Sequence, residues 1–173
     1  MTTSSDSKKY PLRIAILTIS DTRDHDTDSS GAFLAKAVAH KGHHLHDLRI
    51  VRDDVYKIRA VLSDWIANPK IQAIITNGGT GFSSRDSTPE AVSPLFDKNI
   101  EGFGELFRQL SFEEIGSSTL QSRSIAGIAN DTIIFSLPGS TAACATGWNK
   151  IISDQLDSTF QPCNFVAHIR DEG

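Results

Sequence analysis

The first half of the chain alternates between short apolar runs and longer amphipathic stretches. Residues 12–20 and 71–76 are almost wholly apolar, and residues 45–51 form a third, more polar run. Between these runs, apolar residues recur every three or four positions, as they do on the buried face of a helix. A strand that is apolar on both faces is typical of a parallel sheet covered by helices on two sides. The order strand, helix, strand, helix, strand therefore predicts a doubly wound α/β sheet with right-handed crossovers.

The second half of the chain carries five more predicted elements. Residues 88–89, Thr-Pro, are typical of an N-cap followed by proline in the first helical turn. The amphipathic stretch 103–110 predicts a further helix. Residues 124–130 and 132–138 predict two strands joined as a hairpin, and Ser140 is placed to cap a last helix. The predicted fold class is therefore α/β, a three-layer α/β/α arrangement with a mostly parallel, doubly wound sheet and a small hairpin.

Length and composition limit the classes of protein that need to be considered. The chain has 173 residues, of which 39% are hydrophobic and 22% charged, as expected for one globular domain. The polar segment 1–10 is predicted to be a disordered arm, and residues 11–173 a single domain. A net charge of -4 argues against nucleic acid as a partner. We find no apolar run long enough to span a membrane and no signal sequence, so we expect a cytoplasmic protein.

Three glycines fall within four positions directly after the third predicted strand. In open parallel sheets, ligands bind beyond the carboxyl ends of the strands. Glycine lets the main chain approach a ligand closely, and successive amides in such a turn can bind phosphate oxygens. A plain strand-to-helix turn would use the same residues. The anion-binding interpretation assigns ligand contacts to Gly78, Gly79, Thr80 and Gly81.

Two familiar phosphate motifs do not match this turn. A P-loop requires lysine after its last glycine, whereas Phe82 and Ser83 follow Gly81. The dinucleotide-binding glycine motif should follow the first strand, but that strand is followed by Ser-Asp-Thr-Arg. If the turn binds a nucleotide, it belongs to neither of these classes.

A second turn of the same kind occurs near the end of the chain. Pro138 and Gly139 lead off a predicted strand, and Ser140 opens the last predicted helix. Amide groups at the N-terminus of a helix favour anions, which makes this turn a second candidate for ligand contacts. An ordinary strand-to-helix connection is the alternative.

Aspartates follow the predicted strands at the same edge of the sheet. Asp86 lies five residues beyond Gly81, and Asp21 and Asp53 each come at the end of a predicted strand. Any one of them could be a helix cap or a turn residue. A carboxylate beside a phosphate site repels the ligand unless a cation lies between them. Asp86 therefore predicts Mg²⁺, which takes one or two carboxylates together with phosphate oxygens.

A set of spaced motifs resembles one known family. The motifs are NGGTG, RD, TPEA, GFGELFR, QSR and LPGS, and they lie between residues 77 and 140. Together they closely resemble the MoaB/MogA family of molybdenum-cofactor biosynthesis, with a likeness that runs from about Ile14 to Val166. The segments SFEEIG and QPCNFV are more similar to the MoaB branch than to the MogA branch.

The resemblance implies a three-layer α/β fold and a reaction. ATP and Mg²⁺ would join AMP to the terminal phosphate of molybdopterin and release pyrophosphate, so the chain would be a molybdopterin adenylyltransferase. Relatives assemble as trimers or hexamers, so a homo-oligomer is expected. No covalent intermediate with the protein is expected, because phosphoryl-type transfer depends mainly on alignment and charge neutralisation.

The resemblance also implies roles for particular residues. The glycine turn 78–81 would contact phosphate, and residues 138–140 would lie beside the nucleotide. Asp86 and Asp53 would be the catalytic acids that hold Mg²⁺. Asp21 matches the aspartate after the first strand, and Glu105 matches a residue near the pterin. Members often have proline before the second acidic residue, where this chain has Arg52, so the choice between Asp53 and Asp54 stays open.

Two other functions fit the same residues. The chain could be a non-catalytic molybdopterin-binding or assembly protein of the same pathway, since the MoaB branch is less clearly catalytic than MogA. It could also be a different enzyme on the same fold, similar to the nucleotide pyrophosphatases of the CinA type. An adenylyltransferase releases pyrophosphate from ATP in the presence of pterin, whereas a non-catalytic binding protein does not. Hydrolysis of ADP-ribose would identify an enzyme of the CinA type.

Overall fold

The computed structural model describes residues 9–171. Most of the predicted arm, residues 1–8, lies outside the described residues. Its last two residues contact the body of the protein: the Lys9 ammonium lies 3.3 Å from a carboxylate oxygen of Asp157, and the Tyr10 amide donates a hydrogen bond to the Ser158 hydroxyl.

Six strands form one sheet in the order β2-β1-β3-β6-β5-β4. The strands are β1 (Arg13–Ile19), β2 (His44–Val51), β3 (Ala73–Asn77), β4 (Lys98–Asn99), β5 (Ile125–Ala129) and β6 (Thr132–Leu137). The first four in spatial order are parallel, and β5 is antiparallel to both of its neighbours. The prediction of a mostly parallel sheet with a small hairpin is confirmed.

Helices cover both faces of this sheet. They are α1 (Ser29–His40), α2 (Val55–Ala67), α3 (Thr88–Val92), α4 (Glu101–Ile115), α5 (Thr141–Gly147) and α6 (Ser153–Gln155), with a π-helical segment, Trp148–Ile152, between the last two. Shorter 3₁₀ segments are Ser93–Leu95, Gly116–Gln121 and Val166–His168. Among residues 9–171, no helix combines the length and the apolar character needed to cross a bilayer.

The two apolar faces of β1 belong to two different cores, as the sequence predicts. Ile14 and Ile16 pack with Leu34 of α1 and with residues of α4 and α5. Ala15 and Leu17, on the other face, pack with the buried side of α2. Burial of strand side chains on both faces explains why this segment lacks the polar alternation of a half-exposed strand.

The chain leaves β1 and β3 in opposite directions along the sheet. From β1 it returns through α1 to β2 on one side, and from β3 it runs to the β6 side. Such a reversal of strand order opens a crevice at the carboxyl ends of the two strands, where ligands bind in doubly wound folds. The predicted glycine turn follows β3 and so lies at this crevice.

The turns largely follow the sequence predictions, with one correction. Asn130 and Asp131 have φ angles of 47° and 58°, the backbone of a type I′ hairpin turn. The Ser140 side chain caps α5 by accepting a hydrogen bond from the Ala143 amide. The assignment of Thr88 as an N-cap is wrong, because Ser87 precedes the helix and the buried Thr88 is its first residue.

Candidate functional site

A cleft of about 550 Å³ opens at the carboxyl ends of β1, β3 and β6. One wall is formed by the turns that follow β3 and β6, and the other by α4 and the 3₁₀ segment after it. The lining residues are Ile19, Ser20, Arg23, Gly78, Gly79, Thr80, Gly81, Asp86, Phe107, Ser111, Ile115, Ser118, Gln121, Ser122, Pro138, Gly139, Ser140 and Ala143. The structure therefore brings both predicted turns and Asp86 together in one cavity.

Glycine is required at two positions of the first turn. Gly78 and Gly79 have φ angles of +100° and +66°, which side-chain-bearing residues rarely adopt. A Cβ atom on Gly78 would also clash with the carbonyl oxygen of Ile19. The two turns approach closely, since a Cβ on Gly139 would lie 3.2 Å from the Cα of Gly78. The glycines thus let three chain segments meet at the base of the cleft.

Every carbonyl of the first turn accepts a hydrogen bond from the protein itself. The Thr88 hydroxyl donates to the Gly78 carbonyl at 2.7 Å, and the Thr88 amide donates to the Gly79 carbonyl at 3.0 Å. Arg123 serves the other two: its amide donates to the Thr80 carbonyl and its guanidinium to the Gly81 carbonyl. These bonds fix the turn from its carbonyl side.

The amides of the same turn are mostly unused. The Gly78 amide donates to the Leu137 carbonyl at 3.0 Å and so extends the pairing of β3 with β6. This corrects the expectation that Gly78 offers its amide to a ligand. The amides of Gly79, Thr80 and Gly81 have no hydrogen-bond partner among residues 9–171. Three donors therefore remain free in the wall of the cleft, as an anion site requires.

Arg123 holds this turn from outside the cleft. Its guanidinium donates to the Gly81 carbonyl at 2.7 and 3.0 Å and to the Asp86 carbonyl at 3.2 Å. It also pairs with Glu90 of α3 and lies 5.0 Å from the centre of the Phe82 ring. Sequence reasoning about the glycine turn missed this residue, although the QSR motif contains it. A fork of donors is the reason that arginine suits the position.

Asp86 is the acidic residue that lines the cleft. One of its carboxylate oxygens, Oδ2, accepts a hydrogen bond from the Ser83 amide at 2.8 Å. A Cβ on Gly81 would lie 2.8 Å from the same oxygen, so the carboxylate packs directly against the glycine turn. The Asp86 carboxylate is therefore held in contact with the glycine turn.

Asp53 approaches the turn from beneath Gly79 and does not line the cleft. Its side chain is buried, and its Oδ1 atom accepts hydrogen bonds from the Ser87 amide, at 3.0 Å, and from the Ser87 hydroxyl. A Cβ on Gly79 would clash with its Oδ2 atom. Burial raises the pKa of Asp53, and the nearby carboxylates of Asp86 and Asp21 raise it further. A cation would relieve this repulsion.

The structure separates Asp53 from its neighbour in sequence. Asp54 is exposed and caps α2, since its side chain accepts hydrogen bonds from the Tyr56 and Lys57 amides. Asp53, by contrast, faces the glycine turn. Of the two, only Asp53 packs against the glycine turn.

Asp21 and Glu105 lie outside the cleft. Asp21 forms a two-bond ion pair with Arg85 at 2.8 and 2.9 Å, which lowers the pKa of Asp21 to about 2. It therefore ties the end of β1 to the glycine loop. Glu105 is exposed and borders a different cavity of about 480 Å³. The reason is helical geometry, since Glu105 is about 200° around α4 from Phe107, which does line the cleft.

A buried polar network supports the base of the cleft. The Thr18 hydroxyl donates to Asp28 at 2.6 Å, the Asn77 side-chain amide donates to Thr18 at 3.0 Å, and the Ser30 hydroxyl donates to Asn77 at 2.8 Å. These bonds join the ends of β1 and β3 to the start of α1. Cys144 lies beneath the second turn, where its thiol donates to the Pro138 carbonyl. Burial raises the pKa of Cys144 to about 12, so it is no nucleophile.

The acidic residues fit one kind of metal site. Within the part of the chain that the structure describes, no group of three or more His, Cys, Asp or Glu side chains could hold a metal ion. A site built wholly from protein ligands, such as a zinc site, is therefore not present there. Two carboxylates against the glycine turn do fit Mg²⁺, which completes its coordination with water and substrate phosphates.

Comparison with known proteins identifies the family. The family model described as "Probable molybdopterin binding domain" matches residues 15–158. The chain is also 53% identical over 160 residues to the molybdenum cofactor biosynthesis protein B of Escherichia coli strain K12, which covers 92% of this chain and 94% of that protein. The chain belongs to the MoaB/MogA family of molybdenum-cofactor biosynthesis proteins. The family membership predicted from the spaced motifs is confirmed.

Solved structures of MoaB/MogA proteins share the fold described above. A crystal structure of a molybdenum cofactor biosynthesis protein B superposes with a TM-score of 0.83 at 43% identity, over 85% of this chain and 92% of that one. The tungsten cofactor synthesizing protein MoaB from Pyrococcus furiosus superposes with a TM-score of 0.74 at 35% identity, over 83% and 92%. Both carry MoaB-branch descriptions, in agreement with the branch predicted from the sequence.

Proposed function

We propose that this MoaB/MogA protein adenylylates molybdopterin with ATP and Mg²⁺. The observation that carries the proposal is the state of the glycine turn. All four carbonyls of residues 78–81 are bonded internally, whereas the amides of Gly79, Thr80 and Gly81 are free in the cleft wall beside Asp86. The description of the family as a probable molybdopterin-binding domain supports a phosphorylated pterin as one ligand.

The proposed reaction is a direct transfer of AMP. An oxygen of the terminal phosphate of molybdopterin attacks the α-phosphorus of ATP. The bond from this phosphorus to the oxygen that bridges to the β-phosphate breaks, and pyrophosphate leaves with that oxygen. Such a step is accelerated mainly by alignment and by charge stabilisation. The three free amides would supply fixed donors to phosphate oxygens without any rearrangement of the turn.

Asp86 and Asp53 are the residues proposed to hold Mg²⁺. When bound, Mg²⁺ would neutralise phosphate charge between two polyanionic substrates. Asp86 would contribute from the cleft and Asp53 from beneath Gly79. The Ser83 amide fixes Asp86, and both donors of Ser87 fix Asp53. The protein therefore presents the two carboxylates in defined orientations.

The direct test is a turnover assay with the purified full chain. Molybdopterin, ATP and MgCl₂ are combined, and both pyrophosphate and adenylylated pterin are quantified. The expected result is equal amounts of the two products, with no pyrophosphate when pterin is omitted. Pyrophosphate release that does not depend on pterin would instead indicate a nucleotide hydrolase and would contradict the proposal.

A second candidate function is binding of molybdopterin without catalysis. Of the two proposed metal ligands only Asp86 lines the cleft. The described residues contain no group of three or more His, Cys, Asp or Glu side chains that could hold a metal ion. A single carboxylate in the cleft is a small ligand set for Mg²⁺ bound to ATP. This observation favours a protein that binds the pterin without transferring AMP. Calorimetric binding of molybdopterin together with absent pyrophosphate release would support this candidate over the transferase.

We further propose a homo-oligomer, either a trimer or a hexamer. The structure is that of a single chain, but apolar side chains are exposed on α4 and on the 3₁₀ segment after it. Phe112, Ile115 and Leu120 are 59%, 55% and 74% exposed. Large apolar side chains exposed in one segment are typical of protein contacts, although Ile115 also lines the cleft. Light scattering at micromolar concentration should give the mass of three or six chains, and the mass of one chain would contradict this.

A further inference from the structure

Arg23 lies in the loop between β1 and α1 and lines the cleft. One of its nitrogens, Nη1, donates to the Gly139 carbonyl at 3.0 Å and also to the Ser30 hydroxyl. The same nitrogen is 3.7 Å from a carboxylate oxygen of the buried Asp28. These contacts fix the guanidinium against the second glycine turn.

The rest of the Arg23 guanidinium is not engaged. Within residues 9–171, its Nε and Nη2 atoms have no hydrogen-bond partner. The oxygens of Asp28 accept hydrogen bonds from the Thr18 hydroxyl, at 2.6 Å, and from the Gly31 amide, at 2.9 Å, and neither of them bonds to Nε or Nη2 of Arg23. Nε and one Nη nitrogen form the planar fork with which arginine binds two oxygens of one phosphate.

The charge of the cleft makes this free fork significant. Arg23 and Asp86 are the only charged side chains among the lining residues. The whole protein has a net charge of -4, and the free amides of the glycine turn carry only partial charges. A ligand with two or more phosphates therefore meets a single positive side chain in this cavity.

We propose that Arg23 is a phosphate ligand of the cleft. Nε and Nη2 bind oxygens of a substrate phosphate, while Nη1 holds the turn at Gly139. The inference rests on the proposed function, because it assumes that phosphate groups occupy this cavity. Two substrates could supply them, the polyphosphate of ATP or the terminal phosphate of the pterin, and the test below distinguishes the two.

The test measures binding, so it does not depend on turnover. Inorganic tripolyphosphate and, separately, molybdopterin are titrated calorimetrically into the wild-type chain and into Arg23→Gln, Arg23→Lys and Arg52→Gln. Arg52 is an exposed residue just beyond β2 that does not line the cleft, so its substitution controls for the loss of one positive charge near the same sheet edge.

Loss of a charge-assisted hydrogen bond predicts about 10- to 100-fold weaker binding in Arg23→Gln. Arg23→Lys should recover only part of the affinity, because lysine lacks the fork. Arg52→Gln should stay within about twofold of wild type, since exposed charges are screened by salt. A loss confined to tripolyphosphate assigns the nucleotide as the source of the phosphate, and a loss confined to molybdopterin assigns the pterin.

Ionic strength separates a ligand role from a structural one. If Arg23 binds phosphate, the difference in ligand affinity between wild type and Arg23→Gln becomes smaller as the NaCl concentration is raised, because the lost interaction is electrostatic. A difference in affinity that does not change with salt would show that the substitution acts through the turn at Gly139, and it would overturn the proposal. Equal affinity of wild type and Arg23→Gln for both ligands would also overturn it, whereas turnover of the wild type would still support the proposed function.

Discussion

Asp53 and Asp54 are adjacent in sequence but have different surroundings. Asp54 is exposed and caps α2, whereas Asp53 is buried against Ser87 and the glycine turn. The Asp54→Ala variant should lose about 1 kcal/mol of unfolding free energy, the usual value of an N-cap, and keep its turnover. Asp53→Asn keeps an acceptor for the Ser87 amide but removes the charge proposed to hold Mg²⁺, so its turnover should fall at least about 100-fold.

Urea unfolding and the pyrophosphate assay check both variants. The opposite pattern, with turnover lost in Asp54→Ala and kept in Asp53→Asn, would reassign the acidic role to Asp54. The sequence leaves this choice open because both side chains follow the same strand. Their different partners in the folded chain, the first turn of α2 for Asp54 and Ser87 for Asp53, separate them.

Asp86 is the acidic group that faces the cavity. We expect Asp86→Ala to abolish turnover, because the carboxylate proposed to hold Mg²⁺ is lost, while pterin binding stays largely intact through the free amides of the turn. Parallel measurements of pyrophosphate release and of pterin affinity check this. Equal loss of binding and of turnover would contradict the assigned role and show that Asp86 mainly shapes the turn through its bond to Ser83.

His43 gives the protein a pH-dependent stability. Its Nδ1 atom accepts a hydrogen bond from the Leu12 amide, and burial lowers the pKa of His43 to about 4, with Lys9, Lys41, Asp157 and His44 nearby. The imidazole of an unfolded chain titrates near 6.5. Between these two pH values the unfolded state binds the proton and the native state does not. The contribution of neutral His43 to the unfolding free energy is therefore fully present above pH 6.5 and is lost as the pH falls towards 4.

The measurement is the midpoint of urea unfolding at several pH values between 7 and 5. Wild type should lose stability over this range, and His43→Asn should lose much less, because asparagine offers an acceptor to the Leu12 amide but does not titrate. The comparison uses the slopes, since the substitution also lowers the starting stability. If the unfolding midpoint changes equally with pH in wild type and in His43→Asn, His43 is not the source of the pH dependence.

At the scale of elements, the glycine turn between β3 and α3 combines backbone strain with close packing. Gly78 and Gly42 both have positive φ angles, but only Gly78 is crowded, whereas a Cβ on Gly42 would meet nothing within 4 Å. Gly42→Ala should therefore cost about 1 kcal/mol from backbone conformation alone. Gly78→Ala should cost about 1–3 kcal/mol more, because its methyl group overlaps the Ile19 carbonyl.

Thermal or urea unfolding of the two variants tests this difference. If both substitutions cost the same, the close approach of the turn to β1 is not maintained in solution. The pair is matched, since each variant adds one methyl group to a glycine with positive φ.

Elements with long periodic patterns can be predicted from the sequence, whereas the shortest ones leave little signal in it. The strand 12–20 and the helix after Val55 carry enough apolar positions to define both their type and their buried faces. Strand β4 has only two residues and is not predicted, and α3, with five, is predicted only from its Thr-Pro start. Thr88 differs from its prediction for another reason: the local sequence favours a cap, whereas the Thr88 hydroxyl donates to the Gly78 carbonyl in the folded chain.

At the scale of the whole molecule, the site depends on segments that are far apart in sequence. Arg23 contacts Gly139, which is 116 residues away, and Arg123 contacts Gly81, which is 42 residues away. The sequence shows the glycine turns and Asp86, because they follow predicted strands. It does not reveal the arginines, since nothing in their local pattern tells which carbonyl each one meets. Glu105 is the opposite case: the resemblance implies a position near the pterin, and the structure places this residue outside the cleft.

The central claim is that free amides of the glycine turn bind a phosphorylated ligand. The most direct test is a titration of ¹⁵N-labelled protein with molybdopterin, followed by the amide resonances of residues 78–81. Large, saturable shifts are expected for Gly79, Thr80 and Gly81, and a smaller one for Gly78, whose amide is bonded to Leu137. If the ligand binds while these three resonances stay unchanged, the account is contradicted.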